Sequence, residues 1–160
     1  AAFTSAYLVR RGGSDWASIP LPTVLWGNTI LLIGSSGALE VAWRTGRRGS
    51  WTTAKAAHVA AIGLGVAFLA GQWVAWQQLQ RAGIYLPANP SSSFFYMMTG
   101  AHALHVVAAL GVLLWGATAT WWRDRRPGSR PWASSIGLCR TFWHFLLAVW
   151  LYLFVLVSLF

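Results

Sequence analysis

The 160-residue chain contains four long apolar runs separated by short polar segments. Each run can cross a bilayer as a helix, which takes about 20 apolar residues. Prolines and glycines between the runs predict breaks, because proline cannot continue a helix. The pattern predicts an all-α, polytopic transmembrane bundle with four complete helices, at about residues 23–43, 54–80, 93–122 and 136–160.

A shorter apolar stretch precedes the first run. Residues 1–9, AAFTSAYLV, are too few to span a membrane and are interpreted as the tail of an upstream helix. We therefore expect residues 1–160 to form a single membrane domain that lacks an N-terminal segment of a longer protein. Short loops force neighbouring runs to pack side by side, so the expected bundle is antiparallel.

The composition supports a membrane protein and predicts its orientation. Hydrophobic residues make up 56% of the chain and charged residues only 9%, and many of the 12 tryptophans lie near the ends of apolar runs, as in the aromatic belts of membrane proteins. Of the 12 cations, nine follow the first and third runs and three lie on the opposite side. The positive-inside rule places segments 44–55 and 123–140 in the cytoplasm and the C-terminus outside. The net charge of +9 then reflects topology, and no nucleic-acid partner is expected.

Few side chains within the runs can carry chemistry. The chain has three acids and one cysteine, and its sequence contains no catalytic carboxylate pair, cysteine cage or known metal-binding motif, so no catalytic residue and no metal ligand are expected. Ionisable residues in membrane spans are costly and become functional candidates for that reason. The acidic and histidine candidates in or beside the runs are Glu40, His58, His102, His105 and His144.

The histidines allow several interpretations. His102 and His105 lie three residues apart and share one face of a helix, where nearby alanines favour close packing and hydrogen bonds between helices. A proton-conducting role is an alternative. A second alternative is a haem held by His105 and His144 at similar depth, as in a small haem-b membrane cytochrome. His58, near the start of its run, is expected at the solvated membrane interface.

The charged residues at the predicted cytoplasmic side suggest ion pairing and lipid contact. Glu40 precedes Arg44 by four residues, which is the favoured spacing for an ion pair on a helix, and proton uptake by Glu40 is the alternative. Arg44, Arg47 and Arg123 are candidates for contacts with anionic lipid headgroups.

Four segments resemble subunit III of the haem–copper oxidases, the cytochrome c and quinol oxidases. Residues 93–114, SFFYMMTGAHALHVVAALGVLL, are similar to the family's T-G-x-H-x-L-H-V signature, and residues 142–154, FWHFLLAVWLYLF, are similar to its W-H-F-x-D-x-V-W motif. Residues 28–36, NTILLIGSS, and residues 68–83, FLAGQWVAWQQLQRAG, resemble two further family motifs. The four segments occur in the family's order.

This resemblance implies an accessory subunit that binds no metal, with haem and copper in partner subunits. Such a subunit would pack on subunit I, assemble with subunit II and other respiratory-complex subunits, and hold phospholipid in a cleft. It would serve oxygen reduction coupled to proton pumping in a bacterial cytoplasmic membrane. An accessory subunit of a nitric oxide reductase would fit the same motifs. The resemblance also implies structural roles for the motif residues His102, His105, Trp143 and His144.

Two positions depart from the family's pattern. Carboxylates of the family's motifs fall on Ala75 and Leu147 in this chain. A carboxylate-based proton role within these residues would therefore depend on Glu40, which matches no motif position of the family.

Overall fold

The protein forms four long helices in a computed structural model, which describes residues 22–85, 90–123 and 130–159 together with Ser5 and Val9. The helices are α1 (Val24–Arg47), α2 (Trp51–Arg81), α3 (Pro90–Arg123) and α4 (Arg130–Leu159). Within the described ranges there is no strand. Each helix contains a segment long and apolar enough to cross a membrane, which confirms the predicted fold class. The predicted upstream helix tail, residues 1–9, falls outside the described residues apart from Ser5 and Val9.

The helices extend beyond the apolar runs that predicted them. The first continues past Trp43 to Arg47, and the last begins at Arg130, before the apolar segment that starts at Ile136. Apolarity marks the part of a helix that lies in hydrocarbon, whereas polar residues can continue the same hydrogen-bond ladder into the headgroup region. The observed helices are therefore longer than the predicted spans.

Glycines end α1 and α2 in the same way. Gly49 has φ 81° and Gly83 has φ 78°, in the left-handed region that glycine adopts without steric cost. In both cases the N–H group after the glycine bonds to a carbonyl in the last helical turn at 3.0 Å, which is the Schellman arrangement. This arrangement ends α1 at Arg47 and α2 at Arg81.

The four helices pack as a ring in which each contacts its neighbours in sequence and α4 closes against α1. The pair α1–α2 shares the most extensive contact. All four helices contribute to one core, whose fully buried members include Leu32, Phe68, Val106, Trp143 and Trp150. Only 28–39% of each apolar segment is buried inside the bundle, so most of the helical surface faces outward.

The close approach of α1 and α2 depends on Gly71. A Cβ atom at this position would overlap the side-chain oxygen of Asn28, which is buried against α2. We expect Gly71→Ala to lower the free energy of unfolding by about 1–3 kcal/mol, because overpacking forces neighbouring elements apart. Unfolding of the full-length protein in lipid nanodiscs measures this change. Gly63→Ala is the matched control on the same helix, since a Cβ there meets nothing within 4 Å, and equal losses in the two variants would contradict the prediction.

Candidate functional site

Glu40 lies near the end of α1 and joins charged groups from two helices. Its carboxylate accepts a hydrogen bond from Arg44 at 2.6 Å, as the spacing of the two residues predicts, and others from Arg140 at 3.2 Å and His144 at 3.3 Å. Arg140 and His144 both belong to α4. Glu40 therefore links α1 to α4 and is more than a local ion pair, while proton uptake at this residue stays a prediction.

Arg140 lies about one turn inside the apolar segment that begins at Ile136. A charged group inside a span normally pairs with other polar groups. Here the guanidinium bonds to Glu40 and also lies 3.8 Å from the ring centroid of Trp43, a cation–π distance. Arg47 contacts the same indole at 4.8 Å. These contacts offset the cost of placing the Arg140 charge inside the span. Arg140 was not among the residues predicted from the sequence to belong to a site.

His144 forms polar contacts between α4 and α1. Its Nε2 atom faces Glu40, and its Nδ1 atom makes a short contact with the hydroxyl of Ser36. With the proton on Nε2, the ring donates to the carboxylate and accepts from the serine. Both ring nitrogens are thus engaged by α1. This is the kind of structural role that the resemblance implies for His144.

Two indole–threonine contacts hold helices together in the core. Trp150 donates from Nε1 to Thr29 at 3.0 Å, and Trp76 donates to Thr99 at 3.2 Å. Each threonine in turn donates to a carbonyl one turn earlier in its own helix. A hydroxyl can donate and accept at once, so one threonine satisfies an indole and a backbone group together.

The two histidines of the T-G-x-H-x-L-H segment have different environments. His102 is 4% exposed, with its ring 5.8 Å from Phe68 and 5.2 Å from Trp150. His105 is exposed, and its Nδ1 atom donates to the carbonyl of Ala101 in the same helix at 2.7 Å. This bond lies within α3 and does not join two helices. An interhelical role for His105 therefore stays a prediction.

Trp143 contributes packing at the α2–α4 contact. It is 1% exposed, and a Cβ atom on Gly65 would lie 3.0 Å from its ring. Its Nε1 atom has no hydrogen-bond partner among the described residues. The predicted structural role of Trp143 therefore corresponds here to close packing.

The expectation that His58 is solvated is wrong. His58 is 3% exposed, and its Nε2 atom donates to the carbonyl of Leu113 in α3 at 3.2 Å. His58 falls on a regular repeat along one side of α2, where every third or fourth residue is buried. That spacing is the signal that could have indicated its burial. The buried stripe comprises Ala54, His58, Ala61, Gly65, Phe68, Gln72, Ala75 and Leu79.

The remaining candidates show no metal-binding arrangement. Within the described ranges no three His, Cys, Asp or Glu side chains lie together as a metal site. Arg44 and Arg47 are exposed at the end of α1, whereas the side chain of Arg123 lies outside the described part. Ala75 is fully buried and Leu147 packs on the core. The two positions that carry carboxylates in the resembled family are therefore occupied by apolar packing residues.

Comparison with known proteins identifies the family. Residues 16–160 match the family described as cytochrome c oxidase subunit III. The chain is 32% identical over 165 residues to cytochrome c oxidase subunit 3 of Synechocystis sp., covering 97% of the chain and 66% of that relative. It is also 32% identical over 170 residues to the protein of the same name from Thermostichus vulcanus, covering 96% and 76%. A shorter match, 31% identical over 86 residues, is to heme-copper oxidase subunit I+III of Aeropyrum pernix, covering 54% of the chain and 10% of that protein.

These matches extend over nearly all of the chain, although the chain spans only about two thirds of the length of the Synechocystis relative. They include both histidine-containing segments and all four described helices. The chain belongs to the cytochrome c oxidase subunit III family.

Proposed function

We propose that this protein is the accessory subunit III of a bacterial respiratory haem–copper terminal oxidase. It packs against subunit I and assembles with subunit II and other subunits of the complex. Haem and copper reside in those partner subunits, which carry out oxygen reduction and proton pumping. The protein lies in the cytoplasmic membrane with segments 44–55 and 123–140 inside and the C-terminus outside.

The family match over residues 16–160 is the observation that carries this proposal. The fused subunit I+III of the Aeropyrum pernix relative supports subunit I as the main neighbour, because fusion places the two parts in one chain. The outward-facing apolar surface also supports assembly, since most of each apolar segment is not buried within this chain.

The alternatives are less favoured. A haem held by His105 and His144 would need the histidine rings to face each other, but His144 directs both ring nitrogens at α1. His105 uses Nδ1 within its own helix. The named relatives are cytochrome c oxidase subunits, which also makes an accessory subunit of a nitric oxide reductase less favoured.

Affinity purification from native membranes tests the proposal. A tag on the full-length protein should recover a catalytic subunit with haem and copper. The subunit III chain separated from that complex should show no Soret band. A Soret band belonging to this chain, or a copper-free partner containing non-haem iron, would contradict the proposal.

We also propose that the complex holds phospholipid with the help of Arg44 and Arg47. Both side chains are exposed at the end of α1, and cations at a cytoplasmic helix end attract anionic headgroups by about 1 kcal/mol each. We expect the Arg44→Gln, Arg47→Gln double variant of the complex to retain several-fold less phosphatidylglycerol in native mass spectrometry. Arg81→Gln, at the opposite end of α2, is the matched control. Equal lipid retention in the double variant and the control would argue against a headgroup contact here.

A further inference from the structure

Polar side chains from three helices are buried in the core without complete hydrogen bonding. Asn28 and Gln72 are each 1% exposed, and His102 is 4% exposed. Among the described residues, no partner exists for Nδ2 of Asn28, for either amide atom of Gln72 or for either ring nitrogen of His102. Buried polar atoms of native proteins are nearly always paired, either with protein or with ordered water. These atoms therefore indicate a site for a small polar ligand.

Contacts between α1 and α2 place the first two side chains together. The oxygen of Asn28 lies against Gly71, the residue immediately before Gln72. Because Gln72 belongs to the buried side of α2, its amide enters the core at the level where Asn28 meets that helix. The two amides thus belong to one layer of the bundle.

Contacts between α2 and α3 place Gln72 at the level of His102. Phe68, one turn before Gln72 on the same side of α2, contacts the His102 ring at 5.8 Å. Trp76, one turn after Gln72, bonds to Thr99, which precedes His102 by almost one turn. The helices run antiparallel, so these two contacts bracket Gln72 and His102 within the same layer.

Trp150 completes this layer from α4. It donates to Thr29, the residue after Asn28, and its ring lies 5.2 Å from the His102 ring. The layer thus contains polar groups from all four helices.

The three side chains form no direct hydrogen bond through these atoms in the described part of the chain. The unpaired atoms comprise donors on Asn28 and Gln72, an acceptor on Gln72, and the imidazole of His102, which when neutral has one donor and one acceptor nitrogen. A water molecule both donates and accepts, so it can pair with an amide N–H group and with an acceptor atom at the same time.

We propose that Asn28, Gln72 and His102 form a binding site for internal water between the four helices. The water accepts from the amide N–H groups and donates to the amide oxygen or the imidazole. It thereby joins α1, α2 and α3 through these three side chains. The site is distinct from the Glu40 cluster, and it depends on neither the oxidase partner nor the lipid contact.

High-resolution cryo-electron microscopy of the intact complex in nanodiscs tests this directly. We expect an ordered water peak within hydrogen-bond distance of at least two of the three side chains. An amide bonded directly to the imidazole with no peak between them would overturn the proposal. A peak replaced by bromide in bromide buffer would also overturn it, because the site would then bind an anion. Loss of the partner subunits would count against the proposed function but leave this measurement interpretable.

Substitution at Gln72 gives an independent test. In X-ray hydroxyl-radical labelling, bound water next to His102 should promote oxidation of its ring despite its burial. We expect labelling of His102 to fall several-fold in the Gln72→Met complex, since the thioether cannot hold the water. Gln78→Met, at an exposed position of the same helix, is the control and should label like the unaltered protein. Unchanged labelling in Gln72→Met would refute the site, and the unaltered complex decides the question by microscopy if that variant does not assemble.

Discussion

Trp150→Ala is expected to lower the free energy of unfolding by about 2–3 kcal/mol, a large share of a typical stability. The indole is 2% exposed, contacts Phe68 and His102 edge-on or tilted, and donates to Thr29. Trp→Ala changes in soluble cores cost about 3–5 kcal/mol. We expect less here because lipid, and not water, solvates the separated helices, so the loss is mainly one of packing contacts.

Two variants separate the parts of this effect. Trp150→Phe keeps a ring but removes the bond to Thr29, and it should cost about 0.6 kcal/mol, the mean for polar contacts between membrane helices. Trp115→Ala is the control, because this indole is 73% exposed. Unfolding of the full-length protein in nanodiscs measures all three. A loss in Trp115→Ala as large as that in Trp150→Ala would show that indole removal as such, and not core packing, is responsible.

Glu40→Leu is expected to destabilise the α1–α4 contact by about 1–2 kcal/mol. The substitution leaves Arg140 inside the apolar span with Trp43 as its remaining described contact, and an unpaired charge there is costly. The estimate is below that for a fully buried pair because the Glu40 and Arg140 side chains are 24% and 23% exposed. The free energy of unfolding of each variant is the measured quantity.

A double substitution makes this prediction sharper. Glu40→Leu combined with Arg140→Leu removes both charges, and we expect most of the stability to return, since apolar replacement of an ion pair is often neutral. Arg44→Gln should change stability by at most about 0.5 kcal/mol, because the Arg44 side chain is largely exposed to solvent. Additive losses from Glu40→Leu and Arg140→Leu would contradict the interpretation that the two residues compensate each other.

Local sequence spacing predicted only part of the Glu40 site. The pair with Arg44 follows from a separation of four residues on one helix. The bonds from Arg140 and His144 span 100 and 104 residues, so they depend on how α4 is placed beside α1. No pattern within either helix specifies that placement. Ser36 was missed for the same reason, since its partner His144 lies on another helix.

The histidines show a second limit of the sequence. His102 and His105 share one face of α3 by spacing, yet His102 is buried and His105 is exposed. His58 was expected in solvent and is in the core. The orientation of a membrane helix about its own axis decides between these outcomes. In water a polar face would mark the outside of a helix, but lipid and core are both apolar, so these runs carry little such signal.

The sequence by itself determined the number of helices, their approximate ends and the membrane class of the protein. These properties follow from the length of each apolar run and from the free energy of transferring it into the hydrocarbon core of a bilayer. Both depend on each segment alone. The motifs, taken together, also indicated the family. The tertiary structure alone decided that Glu40 joins α4 and that His58, His102, Asn28 and Gln72 are buried. Those features arise from the packing of small residues such as Gly71 between helices, and packing depends on the whole bundle.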